Sequence, residues 1–237
     1  MKLKKHLPNF ITLLNLFFGC LSILAIILNN LSEAAIFIFI AAFFDLLDGL
    51  AARILKAGSE IGKELDSLAD IVSFGAAPGF ILWKLLDTTL PDEYKSFSIL
   101  AFIIPLISAL RLAKFNLDSR QKEHFIGLPV PANAILIASF PMIFVQEEPA
   151  FTWISQTIFN SWFLIGYILV FSFLLVSEIP LISMKFKGYH FSGNQSRYLL
   201  LVAAVILVIF FRFIAIPFIL ILYFIISLIH NMKHKRV

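Results

Sequence analysis

Residues 45–70 read DLLDGLAARILKAGSEIGKELDSLAD and contain four aspartates, Asp45, Asp48, Asp66 and Asp70. The chain around them has 237 residues, of which 60% are hydrophobic and 14% are charged, and its mean hydropathy is +0.93. In a soluble domain about a quarter of all residues are charged. The lower charged fraction and the high apolar fraction found here are typical of a polytopic membrane protein. A carboxylate in lipid costs about 3 kcal/mol or more, and four in one stretch therefore indicate a function.

Apolar runs predict an all-α fold with about eight membrane-spanning helices. They cover residues 10–28, 33–55, 61–86, 96–115, 129–145, 158–178, 197–212 and 214–231. Only a short turn near Arg212 and Pro217 separates the last two runs, so a re-entrant hairpin is an alternative for this pair. No linker or soluble domain interrupts the chain, and residues 1–237 are interpreted as a single integral membrane domain.

The basic residues predict an orientation. With the N-terminus in the cytoplasm, only Lys84, Lys95 and Arg212 of the 19 Lys and Arg residues fall outside. The others fall in cytoplasmic segments: Lys2, Lys4, Lys5, Arg53, Lys56, Lys63, Arg111, Lys114, Arg120, Lys122, Lys185, Lys187, Arg197, Lys233, Lys235 and Arg236. This bias is the positive-inside pattern. We therefore expect both termini and the aspartate stretch to face the cytoplasm from the plasma (inner) membrane. The basic groups lie next to anionic lipid headgroups, and no nucleic-acid partner is expected.

Helical geometry gathers the polar residues of this stretch on two faces. On the second predicted span, an arc of about 140° carries Asp45, Asp48, Gly49, Ala52 and Arg53. On the third, an arc of about 80° carries Gly62, Asp66 and Asp70. Helices joined by a short loop pack as neighbours, so we expect the four carboxylates to converge.

Four carboxylates in a low-dielectric site repel each other and need protons or cations. An oxygen-only ligand set suits Mg²⁺, Mn²⁺ or Ca²⁺. Four carboxylates suffice for two divalent ions about 4 Å apart, an arrangement that serves phosphoryl transfer. Gly49 and Ala52 leave room for a ligand on the same face, and Arg53 offers a guanidinium fork for a diphosphate.

Two other interpretations of the aspartates remain open at this point. Arg53, Lys56 and Lys63 could neutralise three of them as structural ion pairs. Alternatively, intramembrane carboxylates line ion pathways, which would make the protein a divalent-cation transporter. A transporter more often carries such groups near the bilayer midplane and in repeated halves. Their position near one membrane face, without an internal repeat, favours an enzyme.

The spacing D-x2-D-G-x2-A-R-x8-G-x3-D-x3-D resembles the signature of the CDP-alcohol phosphatidyltransferases, and residues 45–70 match it at every fixed position. The resemblance implies a helical membrane enzyme with a six-helix core, here about residues 7–190, and an extra C-terminal helix pair at about 197–231. It also implies a homodimer. Members of the family transfer a phosphatidyl or similar group from a CDP-linked donor to an alcohol and release CMP.

The same resemblance implies roles for the acidic residues. Asp45, Asp48, Asp66 and Asp70 correspond to the ligands of two divalent cations, Mg²⁺ or Mn²⁺, and Ca²⁺ also suits this ligand set. Asp70, the last of the four, corresponds to the general base that accepts the proton of the acceptor hydroxyl.

Donor contacts are implied in the same way. Gly49 and Arg53, with Ala52 beside them, correspond to nucleotide and diphosphate contacts, and Ser59 occupies the place of a hydroxyl that touches the donor. The segment PNFIT, residues 8–12, resembles the family's entry into the first span. It implies donor contacts at Asn9 and Thr12, with Asn15 as a further candidate.

Four further segments resemble the serine-transferring members of the family. They are SLADIVSFGAAPG at 67–79, ALRLAKFN at 109–116, FIGLPVPANA at 125–134 and SEIPLISMKFKG at 177–188. This resemblance implies CDP-diacylglycerol and L-serine as substrates, with glycerol phosphate or an inositol phosphate as alternative acceptors.

The carboxylate of serine requires a cationic partner, and Arg111 is the first choice because it lies at the cytoplasmic end of the fourth span. A flanking charge with a snorkelling stem is the alternative for Arg111 and the preferred interpretation of Lys114. Pro78 is expected to kink the third span just beyond the aspartates.

Overall fold

The computed structural model describes residues 3–118, 125–146, 149–182 and 194–234. In chain order the elements are α1 (Leu3–Ile27), α2 (Leu31–Ile54), α3 (Glu60–Asp70), a π-helical turn (Ile71–Ala76), α4 (Ala77–Thr89), a 3₁₀ helix (Asp92–Phe102), α5 (Ile103–Leu117), β1 (Phe125–Ile126), α6 (Val130–Gln146), a 3₁₀ turn (Pro149–Phe151), α7 (Thr152–Ile158), α8 (Ser161–Val176), β2 (Pro180–Leu181), α9 (Gln195–Phe211), a 3₁₀ turn (Arg212–Ile214) and α10 (Ala215–His234). β1 and β2 form one short antiparallel pair. The predicted all-α class is confirmed.

Short polar connections make α1, α2 and α3 neighbours. Asn30 caps α2 by accepting a hydrogen bond from the backbone N–H of Glu33 at 3.1 Å. Ser59 caps α3 in the same way, accepting from Gly62 at 3.0 Å. Capping oxygens of this kind satisfy backbone donors that a helix start leaves unpaired. Because each connection is only a few residues long, the helices must reverse direction and pack side by side.

Five helical stretches among the described residues are long and apolar enough to cross a membrane: His6–Ile27, Leu31–Ile54, Glu60–Thr89, Asp92–Leu117 and Gln195–Ile229. A sixth is the pair Pro149–Ile158 and Ser161–Val176, which is bent by 69°. The sequence predicted eight. The difference arises because Val130–Gln146 has only 17 residues, because the following span is broken, and because the last two apolar runs are counted together as the segment Gln195–Ile229.

That last stretch, Gln195–Ile229, is folded back on itself. Leu200 of α9 packs in one buried cluster with Tyr223 and Ile226 of α10. A straight helix would hold Leu200 and Tyr223 roughly 35 Å apart. The reversal occurs at Arg212, whose φ of 51° lies in the left-handed region. Two antiparallel helices joined at this turn agree with both predictions for the pair, two separate spans and a re-entrant hairpin.

Gln146 fixes the turn of this hairpin from the end of α6. Its amide nitrogen donates to the carbonyl of Phe211 at 3.2 Å. Its amide oxygen accepts from the backbone N–H of Phe213 at 3.2 Å. These backbone groups are partly buried and would be costly to leave unpaired, and one side chain satisfies both a donor and an acceptor of the turn.

Small side chains let the central helices approach closely around the core. Ala34, Ala35 and Ala41 of α2 are fully buried, as are Leu82 and Leu85 of α4. On α1, a Cβ at Gly19 would overlap Ser73 of the π-helical turn. Glycine at this position therefore allows α1 to lie directly against the segment that follows Asp70.

Large apolar side chains also cover the outside, for example Phe210, Trp162 and Phe173. An apolar exterior is expected where lipid is the solvent. Several of the basic residues that supported the orientation lie outside the described residues: Lys2, Arg120, Lys122, Lys185, Lys187, Lys235 and Arg236.

Candidate active site

The aspartates of α2 and α3 meet between the two helices. Carboxylate oxygens of Asp45, Asp48 and Asp66 lie within 4.8 Å of one another. Asp70 follows Asp66 by one turn on the same face of α3 and is buried. All four lie within about 15 Å of the loop that joins α2 to α3.

Helix α1 supplies hydrogen-bond donors to this cluster. The hydroxyl of Thr12 donates to Oδ2 of Asp48 at 2.6 Å. The amide nitrogen of Asn15 donates to Oδ1 of Asp70 at 3.2 Å. Both side chains are buried. The sequence suggested Asn15 as a donor contact, whereas the structure makes it a hydrogen-bond partner of the last aspartate.

No basic side chain among the described residues neutralises the four aspartates. Arg53 and Lys56 are exposed at the end of α2, and the ammonium group of Lys63 donates to the carbonyl of Asn116 at 3.2 Å. The interpretation of the aspartates as structural ion pairs with these three residues is therefore wrong.

The donor set fits a divalent metal ion. It consists of carboxylate oxygens alone, within mutual reach and in no ion pair with a Lys or Arg of the described residues, which is the environment that Mg²⁺ and similar hard ions prefer. Thr12 and Asn15 hold two of the carboxylates in fixed orientations, as supporting hydrogen bonds commonly do around metal ligands. Asp45, Asp48 and Asp66 could thus hold a metal ion.

A cavity of about 250 Å³ opens on one side of the cluster. We call it the signature cavity, because Asp48, Asp66 and the small residues of the aspartate motif line it. It also brings together the predicted donor contacts Asn9, Thr12, Gly49, Ala52 and Ser59. Arg53 is not among the residues that line it.

Two glycines of the motif contribute to this cavity in different ways. A Cβ at Gly49 would meet no other heavy atom within 4 Å, so this glycine leaves the cavity open. A Cβ at Gly62 would lie 2.9 Å from Oδ1 of Asn9 and 3.0 Å from Oγ of Ser59. Gly62 therefore permits these two polar groups to converge.

A second cavity of about 200 Å³ also borders the cluster. Asp66, Asp70, Arg111, Asn116 and Pro129 are among its lining residues, and we call it the Arg111 cavity. Asp66 lines both cavities. The two spaces therefore meet at the aspartates, and Asp70 faces the one that contains a buried arginine.

Arg111 is 4% exposed and held from two sides. Its Nη2 donates to the carbonyl of Ile126 at 2.8 Å, and its guanidinium lies 5.2 Å from the ring centroid of Phe115. Arg111 also lines a third space of about 360 Å³, together with Lys114, Ser177 and Glu178. Arg111 thus has a buried position inside the helix bundle rather than that of a snorkelling flank.

The helix changes geometry directly after Asp70. Residues Ile71–Ala76 form a π-helical turn, closed by a hydrogen bond from the N–H of Ala77 to the carbonyl of Val72. The sequence predicted an irregularity here from Pro78, which cannot donate a backbone hydrogen bond. It did not indicate that Ser73 in this turn donates to the carbonyl of Asn15 at 2.9 Å. Turns of this type are frequent at functional sites.

Residues 5–173 match the family model described as CDP-alcohol phosphatidyltransferase. The chain belongs to this family. Within the CDP-alcohol phosphatidyltransferases, α1 to α8 therefore form the shared part of the fold, and α9 and α10 lie beyond the matched residues.

Curated relatives carry names that specify an acceptor. The chain is 39% identical over 138 residues to the CDP-diacylglycerol–serine O-phosphatidyltransferase of Bacillus subtilis, which covers 57% of this chain and 76% of that protein. It is 35% identical over 185 residues to the Mycobacterium leprae protein of the same name, covering 75% of this chain and 58% of the relative. An archaetidylserine synthase of Methanothermobacter thermautotrophicus is 37% identical over 139 residues, which cover 56% of this chain and 57% of that protein. The chain thus spans under two thirds of the length of the last two relatives.

Proposed function

We propose that this CDP-alcohol phosphatidyltransferase transfers the phosphatidyl group of CDP-diacylglycerol to L-serine, giving phosphatidylserine and CMP. The observation that carries the proposal is the meeting of the signature cavity and the Arg111 cavity at one aspartate cluster. Two substrates can occupy different cavities and react at the aspartates that border these cavities. The names of the serine-transferring relatives support the choice of donor and acceptor.

In this proposal the cytidine diphosphate group occupies the signature cavity while the acyl chains remain in lipid. Asn9 and Ser59 offer an amide and a hydroxyl to its polar atoms, and Thr12, which donates its proton to Asp48, offers its hydroxyl oxygen as an acceptor. Gly49 and Ala52 leave room for it because neither carries a side chain larger than a methyl group. A diphosphate contact by Arg53 stays a prediction, since that side chain is exposed at the end of α2.

We further propose that Asp45, Asp48, Asp66 and Asp70 hold two divalent cations, Mg²⁺ or Mn²⁺, with Ca²⁺ also suited to the ligands. When bound, such ions offset the charge of the diphosphate and of the departing CMP. Thr12 and Asn15 keep Asp48 and Asp70 oriented for this task through the hydrogen bonds described above.

Serine occupies the Arg111 cavity. The guanidinium of Arg111 pairs with its carboxylate, which places its hydroxyl toward Asp70. Asp70 accepts the hydroxyl proton as the oxygen attacks the phosphorus of the phosphatidyl group. A phosphorus–oxygen bond to serine forms while the bond to the CMP oxygen breaks, and CMP leaves with that electron pair.

The orientation and assembly belong to the same proposal. The distribution of Lys and Arg supports a plasma (inner) membrane protein whose termini and active site face the cytoplasm, where serine is available. The family resemblance supports a homodimer.

An acceptor screen tests the proposal. Purified protein in mixed micelles with CDP-diacylglycerol and Mg²⁺ or Mn²⁺ is given serine, glycerol phosphate or inositol phosphate, and CMP and lipid products are measured. We expect CMP and phosphatidylserine only with serine. CMP release with glycerol phosphate but not with serine would overturn the serine assignment. Divalent-ion flux into proteoliposomes, without CMP release when both substrates are present, would replace the enzyme by a transporter.

A further inference from the structure

The hairpin of α9 and α10 lies beyond the residues that the family model matches, yet it is tied to the active-site half of the molecule. Besides the bonds from Gln146 to its turn, the hairpin contacts Ile182, the residue directly after β2. The hydroxyl of Tyr223 donates to the carbonyl of Ile182 at 2.9 Å. The N–H of Ile182 donates to the hydroxyl of Ser227 at 3.2 Å. Two side chains one turn apart on α10 thus hold both backbone groups of one residue.

All the partners of this contact are buried. Tyr223 is 9% exposed and Ser227 is fully buried, and Leu181 and Ile182 pack in the same apolar cluster. A hydrogen bond in such surroundings has no competing water, so losing it leaves a donor or acceptor unpaired. The contact therefore fixes the end of β2 firmly to α10.

β2 carries this restraint to β1. Ile126 lies opposite Pro180, and Phe125 opposite Leu181. The N–H of Gly127 donates to the carbonyl of Ile179 at 2.9 Å. A pair of two-residue strands is too short to be stable alone. Its position must be set by the elements that hold it, and α10 holds one of its two strands.

β1 in turn holds Arg111, because the carbonyl of Ile126 accepts the hydrogen bond from Nη2 of Arg111. A continuous path of hydrogen bonds and strand pairing therefore runs from α10 through β2 and β1 to the guanidinium in the Arg111 cavity. The signature cavity has no such connection among the described residues, since its lining comes from α1, α2, α3 and the loop between the last two.

We propose that the α9–α10 hairpin is a positioning element for the acceptor. Tyr223 and Ser227 act through the β1–β2 pair to fix the guanidinium of Arg111 against the carboxylate of the incoming alcohol. The inference rests on the proposed function for the identity of that alcohol. Bidentate recognition of a carboxylate depends on a fixed guanidinium orientation, so loosening the strand pair weakens acceptor binding and leaves donor binding intact.

The double variant Tyr223→Phe, Ser227→Ala tests this by removing two hydroxyls without removing packing. We expect the KM for serine to rise about fivefold, the effect of about one net hydrogen bond. The KM for CDP-diacylglycerol and kcat at saturating serine stay unchanged. The matched control Tyr167→Phe, Ser139→Ala removes buried hydroxyls that donate to Asn133 at 2.7 Å and to Leu136 at 2.6 Å. It should leave both KM values unchanged.

A double-mutant cycle separates positioning from general loosening of the fold. If the hairpin acts through Arg111, adding Tyr223→Phe and Ser227→Ala to Arg111→Lys gives no further rise in the serine KM. An equal rise in both backgrounds would overturn the proposal, as would an unchanged serine KM in the folded double variant. If the double variant does not fold, Ser227→Ala alone is expected to raise the serine KM about twofold, and an unchanged value there overturns the proposal in the same way.

Failure of the hairpin proposal and of the proposed function can be told apart. If wild-type protein uses another alcohol, serine transfer is refuted, and the same cycle is run with the KM of that alcohol. If wild-type protein uses serine but the double variant behaves like its control, only the positioning role is refuted.

Discussion

The two cavities that meet at the aspartates are built in different ways. The signature cavity is lined by residues between Pro8 and Asp66, on three consecutive helices joined by short turns. The Arg111 cavity joins α3 to the end of α5 and the start of α6, so the π-helical turn, α4 and the 3₁₀ helix lie between its parts in the chain. The part of the site assigned to the common donor thus comes from consecutive helices, and the part assigned to the acceptor comes from helices that are not all consecutive.

This difference explains why a signature can identify a family without identifying the alcohol. Helical spacing and a short loop suffice to bring Asp48, Gly49 and Asp66 together. The position of Arg111 depends on a carbonyl of β1, which depends on β2 and on α10. Changes on the donor side should therefore affect every acceptor equally, whereas changes on the acceptor side should be specific to one.

Asp70 lines the Arg111 cavity beside Asp66, and its replacement should have the largest effect. Asp70→Asn keeps the shape but cannot accept the serine proton, so we expect kcat to fall by about a thousandfold. Donor binding should change little, because three carboxylates remain. The measurements are CMP release and binding of a CDP-diacylglycerol analogue, with Asp92→Asn at an exposed site as the control. Full activity in Asp70→Asn would contradict its role as the base.

Arg111→Lys should rank second and affect only the acceptor side. The lysine keeps the charge but loses the planar fork, so we expect the serine KM to rise by about ten- to a hundredfold, the value of a charge-assisted hydrogen bond. The donor KM should remain within about twofold of wild type, since the donor-side lining stays intact. The exposed Arg212, at the turn between α9 and α10, gives the matched control Arg212→Lys. A parallel rise in both KM values for Arg111→Lys would show that the cavities are not separate.

Gly62→Ala should have the smallest effect. In contrast to Arg111→Lys, it should raise the KM for the donor and not the KM for serine. The added methyl group displaces Asn9 or Ser59, so we expect the donor KM to rise about threefold to tenfold with no change for serine. Gly166→Ala is the control, because a Cβ there meets no other heavy atom within 4 Å. A larger effect on serine than on the donor would reverse the assignment of the two cavities.

The sequence allowed much of the donor side to be predicted. The period of the helix placed the aspartates on facing sides of α2 and α3, and the family resemblance supplied Asn9, Thr12 and Ser59, which all line the signature cavity. Helical geometry is sufficient for the aspartates, because they lie a few turns apart on two helices joined by a short loop. It is not sufficient for Asn9 and Thr12, which lie on α1 and were predicted from the resemblance alone. Arg53 shows the limit, because sharing an arc with Asp48 does not bring its side chain into the cavity.

Features that depend on packing between distant segments could not be predicted. No local pattern indicates that Tyr223 reaches Ile182, or that Asn15 turns toward Asp70. The helix count shows the same limit: hydropathy locates apolar runs, but it does not tell a full crossing from the bent pair at 149–176.

The π-helical turn after Asp70 lets one helical segment contribute both to the aspartate cluster and to the apolar core. In a regular α-helix, Leu82 and Leu86 would point about 120° to 160° away from Asp70. One additional residue in the turn shifts the phase of everything that follows by roughly 100°. The carboxylate of Asp70 and the buried side chains of Leu82 and Leu86 can then lie on the same side of one helical segment. Deleting one residue from 71–76 would rotate α4 relative to α3. Either the Asp70 carboxylate or the core side chains of α4 would then lose their present orientation.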